Sequence, residues 1–223
     1  MTLVIAHRGA SAEEPENSLA AFRLALEQGA DGVELDVHVT ADGVIIVFHD
    51  AELDGRQICT LHSAIVLAHR LPNGETIPTL RQALDLITPQ AIAFVELKTL
   101  PPDADATLLG LFASAPRPDR CHIHSFDHRI IRRLSAHRPS ANAGILSGSY
   151  TLDPAAQVRA AGASALWQHV DLVDRPLAAQ IHDAGFRIYA WTIDRPERMR
   201  QVIEDGVDGI CTNRPALARE VIG

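Results

Sequence analysis

Apolar and polar positions along this chain follow two periods, and the places where one gives way to the other mark out its elements. Short runs such as Val4-Ile5-Ala6, Val44-Ile45-Ile46-Val47 and Ile188-Tyr189-Ala190 have strand character, whereas Leu19, Phe22 and Leu26 fall on one face of a helix that stops at Gly29. The pattern predicts strands at 3–7, 32–38, 44–49, 91–97, 121–125, 142–147, 163–168, 186–192 and 208–212. Helices are predicted at 18–28, 79–87, 103–114, 127–137, 154–161, 175–184 and 195–205. The C-terminal half repeats a start-and-stop signal. Asp174-Arg175-Pro176 opens a helix that ends at Gly185, Asp194-Arg195-Pro196 opens one that ends at Gly206, and Asp153-Pro154 opens one that ends at Gly162. In each, Asp supplies a side-chain cap, Pro presets φ in the first turn and Gly permits a left-handed exit.

Helices alternating with short strands imply βα units and a parallel sheet, open or closed. Nine strand candidates are one more than a closed barrel of eight needs, so one is expected to be short or peripheral. Between 32–38 and 44–49 there is no room for a helix. Residues 50–78, with Asp54-Gly55 and Pro72-Asn73-Gly74, are expected to form an irregular connection. No linker-like composition divides the 223 residues, so 1–223 is expected to be one domain.

Composition narrows the function class. Twenty Lys and Arg against 28 Asp and Glu give a formal charge of −8, a surface that repels nucleic acid and anionic membranes. No run approaches the roughly 18 apolar residues of a membrane helix. Met1 to Ala6 is followed at once by His7-Arg8, so no signal peptide is expected and a cytoplasmic location is. Cys59, Cys121 and Cys211 are widely spaced and form no CxxC, the pattern of reduced thiols.

The chemistry sits where strand patterns break. In Val33-Glu34-Leu35-Asp36-Val37 both acids take one face, although a covered parallel strand should be nearly all apolar. Val95-Glu96-Leu97-Lys98 places an acid and a base in the same way, and two other apolar runs end in His7-Arg8 and His49-Asp50. All four breaks lie at C-terminal strand ends, the face on which barrel enzymes carry their sites. Each alone has an ordinary structural explanation; together they suggest a site. Glu34, Asp36 and Glu96 offer hard oxygen ligands for Mg²⁺ or Ca²⁺. His7 and His49 can divide general base and acid work, and Arg8 and Lys98 suit a phosphate. His124 is a candidate substrate contact, or with His122 a metal pair on one strand face. Phe126 and Trp191 are candidate pocket walls. Arg129, Arg132, Arg133 and Arg138 are expected on the solvated face of their helix, and the remaining histidines in structural or surface positions.

The ordered segments His7-Arg8-Gly9, Pro15-Glu16-Asn17-Ser18, Glu34-Leu35-Asp36-Val37 with Thr40 and Asp42-Gly43, His49-Asp50, Glu96-Leu97-Lys98, Ser125-Phe126, Trp191-Thr192 and Gly206-Val207-Asp208-Gly209 with Thr212 and Pro215 resemble the glycerophosphodiester phosphodiesterase family. The resemblance implies a TIM (β/α)8 barrel with no helix between its second and third strands and a short insertion after the third. It implies hydrolysis of glycerophosphodiesters, such as glycerophosphocholine or glycerophosphoethanolamine, to glycerol 3-phosphate and an alcohol. It further implies one divalent metal ion, Mg²⁺ or Ca²⁺, on Glu34, Asp36 and Glu96, His7 and His49 as the acid/base pair, and Arg8 and Lys98 on the phosphate. The pattern departs after His49-Asp50, where Ala51-Glu52-Leu53-Asp54-Gly55-Arg56 keeps only the family's Leu, beside the expected leaving group. Cleavage of lysophospholipids, metal-free sugar-phosphate isomerisation and non-catalytic phosphate binding are the rival readings; no exposed aromatic or amphipathic stretch is expected for meeting a membrane. Three carboxylates against Arg8 and Lys98 leave one net negative charge, which a divalent ion reverses, so phosphodiester binding is expected to require the metal.

Overall fold

The computed structural model describes residues 1–137 and 142–223; Arg138, grouped above with the helical arginines, lies outside them. Strand β1 (Leu3–His7) leads to helix α1 (Leu19–Glu27), and β2 (Gly32–Val39) turns into the short β3 (Ile45–Val47). A hairpin of β4 (Glu52–Leu53) and β5 (Arg56–Gln57) precedes helices α2 (Ser63–Val66) and α3 (Leu80–Ile87). Strands and helices then alternate: β6 (Ile92–Leu97), α4 (Asp105–Ala113), β7 (Cys121–Ser125), α5 (His128–His137), β8 (Ala143–Ser147), α6 (Pro154–Ala160), β9 (Ala165–His169), α7 (Arg175–Asp183), β10 (Arg187–Trp191), α8 (Pro196–Asp205), β11 (Gly209–Thr212) and α9 (Pro215–Ile222). Parallel pairing runs from β1 through β2, β6, β7, β8, β9, β10 and β11 and back to β1. Among the described residues eight strands thus close a TIM barrel ringed by helices.

The peripheral ninth strand is β3. It lies antiparallel on β2, with Val37 opposite Val47, along the edge that β1 leaves free beyond the His7–Glu34 pair. No helix stands between β2 and β3, and helix α3 precedes β6, the third strand of the barrel itself.

Alternation builds two apolar regions. Val33, Leu35 and Val37 of β2 face outward and pack with Phe22 of α1 and Leu80 and Leu84 of α3 in the core between barrel and helices. Inside the barrel, Ile5, Phe94, Leu146, Trp167 and Tyr189 form a separate layer. Glycines opposite the rings make room for them. A Cβ on Gly32 would stand 2.5 Å from the Phe94 ring, and one on Gly144 2.6 Å from Trp167.

The repeated helix signal holds with one exception. Asp153 and Asp174 accept from the N–H groups of Ala156 and Leu177, both at 2.9 Å, capping α6 and α7. Helix α8 is entered at Arg195 without a side-chain cap, because Asp194 turns away from it. Helix α9 went unpredicted, although Asn213-Arg214-Pro215 carries the same first-turn proline. Residues 50–78 are also more ordered than expected. Besides the hairpin and α2, the insertion joins β3 in an apolar cluster of its own, with Leu53, Ile58, Leu61 and Val66 against Ile46 and Ile77. Asp42 ties α2 to the β2–β3 turn, accepting from Ser63 N–H at 2.8 Å and Ser63 Oγ at 2.6 Å. Among the described residues no helix is long and apolar enough to cross a membrane.

Candidate active site

Three of the four strand breaks stand side by side at the C-terminal mouth of the barrel. Register places His7 beside Glu34, Asp36 beside Glu96 and Glu96 beside His124. Glu34, Asp36, Glu96 and His124 are all buried. An acid buried alone is costly, and here the compensation is visible. Asp36 lies 3.1 Å from Arg8 Nε and 3.0 Å from Lys98 Nζ. It also accepts from Asn17 Nδ2 at 2.8 Å, and its backbone N–H donates to Asn17 Oδ1 at 3.2 Å. Burial would raise the Asp36 carboxyl, but Lys98, Arg8 and the Asn17 hydrogen bond hold it below the usual range. Lys98 reaches on to Glu96 at 2.7 Å.

The β1–α1 loop is bent to serve this cluster. Arg8 adopts φ 56°, a left-handed conformation that a bulky residue keeps only when its surroundings hold it there. Its N–H then donates to Glu34 Oε2 at 3.2 Å, and its Nη1 meets both oxygens of Glu16 at 2.9 Å. Asn17, also left-handed at φ 59°, serves Asp36, and the neighbouring Ser18 caps α1 by accepting from Ala21 N–H. The two neighbours thus divide their work, Asn17 on the acid and Ser18 on the helix.

Glu34 and Glu96 are less well compensated: Glu96 has Lys98, and Glu34 has, among the described residues, only the Arg8 N–H on Oε2. Burial pushes both carboxyls up to about 7, Glu34 with help from Asp36 and Glu96 with help from Glu34. Glu34 Oε1 and His124 Nδ1 are buried without a hydrogen-bond partner. Burial likewise lowers His124 to about 4. Its ring stacks on Trp167 at 4.3 Å, and Nε2 lies 3.7 Å from Glu34 Oε1. Among the described residues, Glu34, Glu96 and His124 each offer a ligand atom, all within 4.8 Å of one another. A cavity of about 20 Å³ opens between them, also bordered by His7, Trp191 and Cys211. That is space for one small ion or water. A buried carboxylate oxygen without a donor, Glu34 Oε1, with a second buried carboxylate beside the same cavity, fits a divalent cation, and such oxygens suit Mg²⁺ or Ca²⁺. Asp36, the third acid expected on the ion, borders the same cluster and is also engaged by Arg8, Lys98 and Asn17.

The two histidines stand on different supports. His7 Nδ1 meets Asn213 Oδ1 at 2.7 Å. His49 follows β3, where Phe48 N–H donates to Asp36 O at 3.0 Å, and its Nδ1 lies 2.8 Å from Asp50 Oδ1. His38 Nε2 lies 3.1 Å from His49 O, so His38 has the structural place expected of it. His122 does not share the ion cluster; it packs edge-on to Phe94 one layer below, ring centres 4.9 Å apart.

Phe126 and Trp191 meet edge to face at 5.5 Å, and His169 joins them at 5.1 Å from Trp191. Phe126 is half exposed, and Tyr150 and Leu152 are exposed on the next loop. Three large apolar residues thus fall on adjacent loops at the mouth, where strand ends leave side chains without a partner layer. Arg133 is not simply solvated either, since it pairs with Asp105 at 2.7 Å and ties α5 to α4. A wider crevice of about 780 Å³ runs outward from Lys98 past Leu100 and Thr107, with Arg129 and Arg133 already paired to acids. Sequence reasoning assigned no role to Asn17, Asn213 or Ser11. Asn17 had a signal in Pro15-Glu16-Asn17-Ser18; Ser11 had none.

Comparison with known proteins agrees with this geometry. The model of the "Glycerophosphoryl diester phosphodiesterase family" matches residues 7–57 and 68–217. A glycerophosphodiester phosphodiesterase of Caldanaerobacter subterraneus subsp. tengcongensis is 33% identical, over 96% of this chain and 95% of that protein. Among solved structures, an Oleispira antarctica phosphodiesterase in complex with the product sn-glycerol-3-phosphate is 25% identical, with TM-score 0.93 over 100% of this chain and 97% of that one. A glycerophosphodiester phosphodiesterase from Parabacteroides distasonis is 27% identical, with TM-score 0.89 over 99% and 96%. Fold, mouth and matches together make the chain an enzyme that belongs to the glycerophosphoryl diester phosphodiesterase family.

Proposed function

We propose that residues 1–223 form one barrel domain that hydrolyses glycerophosphodiesters, such as glycerophosphocholine or glycerophosphoethanolamine, to glycerol 3-phosphate and the free alcohol. One observation carries the reading: buried acids and two cations cluster beside His7 at the barrel mouth, and the segment that carries His49 is tied to the same cluster through Phe48 N–H and Asp36 O. Glu34, Asp36 and Glu96 would hold a divalent cation, Mg²⁺ or Ca²⁺. When bound, it supplies Lewis-acid stabilisation of a phosphoryl oxygen. Arg8 and Lys98 bring fixed positive charge to the same rim. Asp36, Glu16 and Glu96 raise these two groups against the pull of burial, so both stay charged to meet the anion.

His7 takes the proton of the attacking hydroxyl, from water or the glycerol 2-hydroxyl, as the new P–O bond forms. His49 gives a proton to the alcohol oxygen as the old P–O bond breaks, so the two histidines exchange proton states in one turnover. Their supports favour this division: His49 has a carboxylate behind it, suited to a ring that carries charge, and His7 has a neutral amide.

A second reading, cleavage of a lysophospholipid, draws on the exposed Phe126, Tyr150 and Leu152, which would flank an acyl chain. The test is a screen of glycerophosphocholine, glycerophosphoethanolamine, glycerophosphoglycerol and a lysophospholipid, with and without EDTA. EDTA-sensitive release of glycerol 3-phosphate is expected. His7→Ala and His49→Ala should each lower kcat by roughly 10²–10⁴-fold, and wild-type turnover in both would overturn the mechanism.

A further inference from the structure

The tripeptide Asp-Arg-Pro occurs twice, each time before a helix, and the two copies behave differently. Asp174 caps α7. Asp194, in the same local sequence, leaves α8 without a side-chain cap. A missing Asp cap costs about 1 kcal/mol, and a local rule broken inside a fold that otherwise obeys it points to another use. The Asp194 carboxylate instead accepts from Asn213 N–H at 2.8 Å, Thr212 Oγ1 at 3.0 Å and Asn213 Nδ2 at 2.6 Å.

These contacts fix the Asn213 side chain. A carboxylate only accepts, so the end of the amide against Asp194 is its NH2, and Oδ1 is the end turned to His7 Nδ1 at 2.7 Å. Ser11 Oγ stands 2.8 Å from the same Oδ1 and 2.7 Å from His7 O, so each atom to which its single proton can go is an acceptor. An amide oxygen facing Nδ1 requires Nδ1 to carry hydrogen. In the neutral ring the lone pair is then on Nε2.

We infer that Asp194 is a positioning residue which, through Asn213, locks His7 in the Nδ1–H tautomer and so keeps Nε2 ready to take a proton. The relay joins three strand ends, β1, β10 and β11. Because the middle member is a neutral amide, it fixes the tautomer without placing a charge against the ring. The inference rests on His7 as the base proposed above, and the test separates the two.

Ring-nitrogen NMR of the full chain carrying ¹⁵N-histidine, with His7 assigned by comparison with His7→Ala, reads the tautomer directly. Wild type is expected to show hydrogen on Nδ1 and a bare Nε2 when the ring is neutral. Asp194→Asn, whose amide no longer dictates which end of Asn213 faces His7, is expected to show mixed tautomers. Its kcat should fall about 10- to 100-fold, with KM within about two-fold. Should Asp194→Asn fail to fold, Asn213→Ala keeps the Asp194–Thr212 bond and is expected to give the same two changes. Hydrogen on Nε2 in wild type, or unchanged kcat in both variants, would overturn the relay. Wild-type turnover by His7→Ala would remove His7 as base, whereas the tautomer result would still decide what Asp194 does.

Discussion

Two layers of side chains share the barrel interior, only two residues apart on the same strands, and they are built on opposite terms. On β6, Phe94 belongs to the lower layer and Glu96 to the upper. Below, Phe94, Trp167 and Tyr189 meet at ring-centre distances of 4.9–5.7 Å over glycines that clear space for them. Above, acids and an imidazole are equally buried, and several of their polar atoms have no partner. Burial of apolar rings stabilises a fold, and burial of short-handed carboxylates costs it. The lower layer thus offsets a mouth that is assembled for chemistry at the expense of stability.

That contrast can be broken from either side. Phe94→Ala should cost about 3–5 kcal/mol, since it opens a void in the packed layer; urea denaturation measures it, and a loss below about 1 kcal/mol would mean the aromatic layer does not carry the barrel. The upper layer predicts an unusual pH dependence. Because Glu34 and Glu96 are raised from 4.5 to about 7 in the fold, the protonated forms are the favoured ones. Their contribution is full below about pH 4.5 and is lost as pH rises through about 7. In EDTA, calorimetry from about pH 5 to about pH 8 should therefore record a fall on the order of 3 kcal/mol. Glu96→Gln should flatten the fall and stabilise the metal-free protein at pH 8 while weakening cation binding; a wild-type curve that rises with pH would refute the account. Gly144→Ala should cost about 1–3 kcal/mol by pressing on Trp167 and, through the stacked His124, disturb the upper layer as well. Thermal melts with and without Mg²⁺ check this, and an unchanged melting temperature would show that the rings yield without cost.

Much of this arrangement was legible in the sequence because it rests on periodicity. The breaks at His7-Arg8, Glu34-Asp36, Glu96-Lys98 and His49-Asp50 are visible as polar residues where apolar runs end; register sets the first three side by side, and Phe48 N–H on Asp36 O brings the segment before His49 alongside. What stayed hidden depends on partners far along the chain. Nothing local distinguishes Asp194 from Asp174; only the approach of Asn213 across two strand ends does. Asp36 is one of three similar acids in sequence, and its separate place follows from Asn17, Arg8 and Lys98 arriving from other loops. Tyr150 and Leu152 were missed because exposure is set by which loops neighbour which, and Leu152 stands 26 residues along the chain from Phe126, the pocket wall that was named.

The antiparallel β3 has a consequence for how the mouth can change over evolutionary time. The barrel's own strands carry His7, the acids and Lys98's neighbours in fixed register, whereas His49 is mounted on an appended strand backed by a small apolar cluster of its own. The family model passes over residues 58–67, inside that cluster. One histidine therefore belongs to the frame and the other follows an appended strand, so a change confined to residues 58–67 alters the support beside His49 without touching a barrel strand.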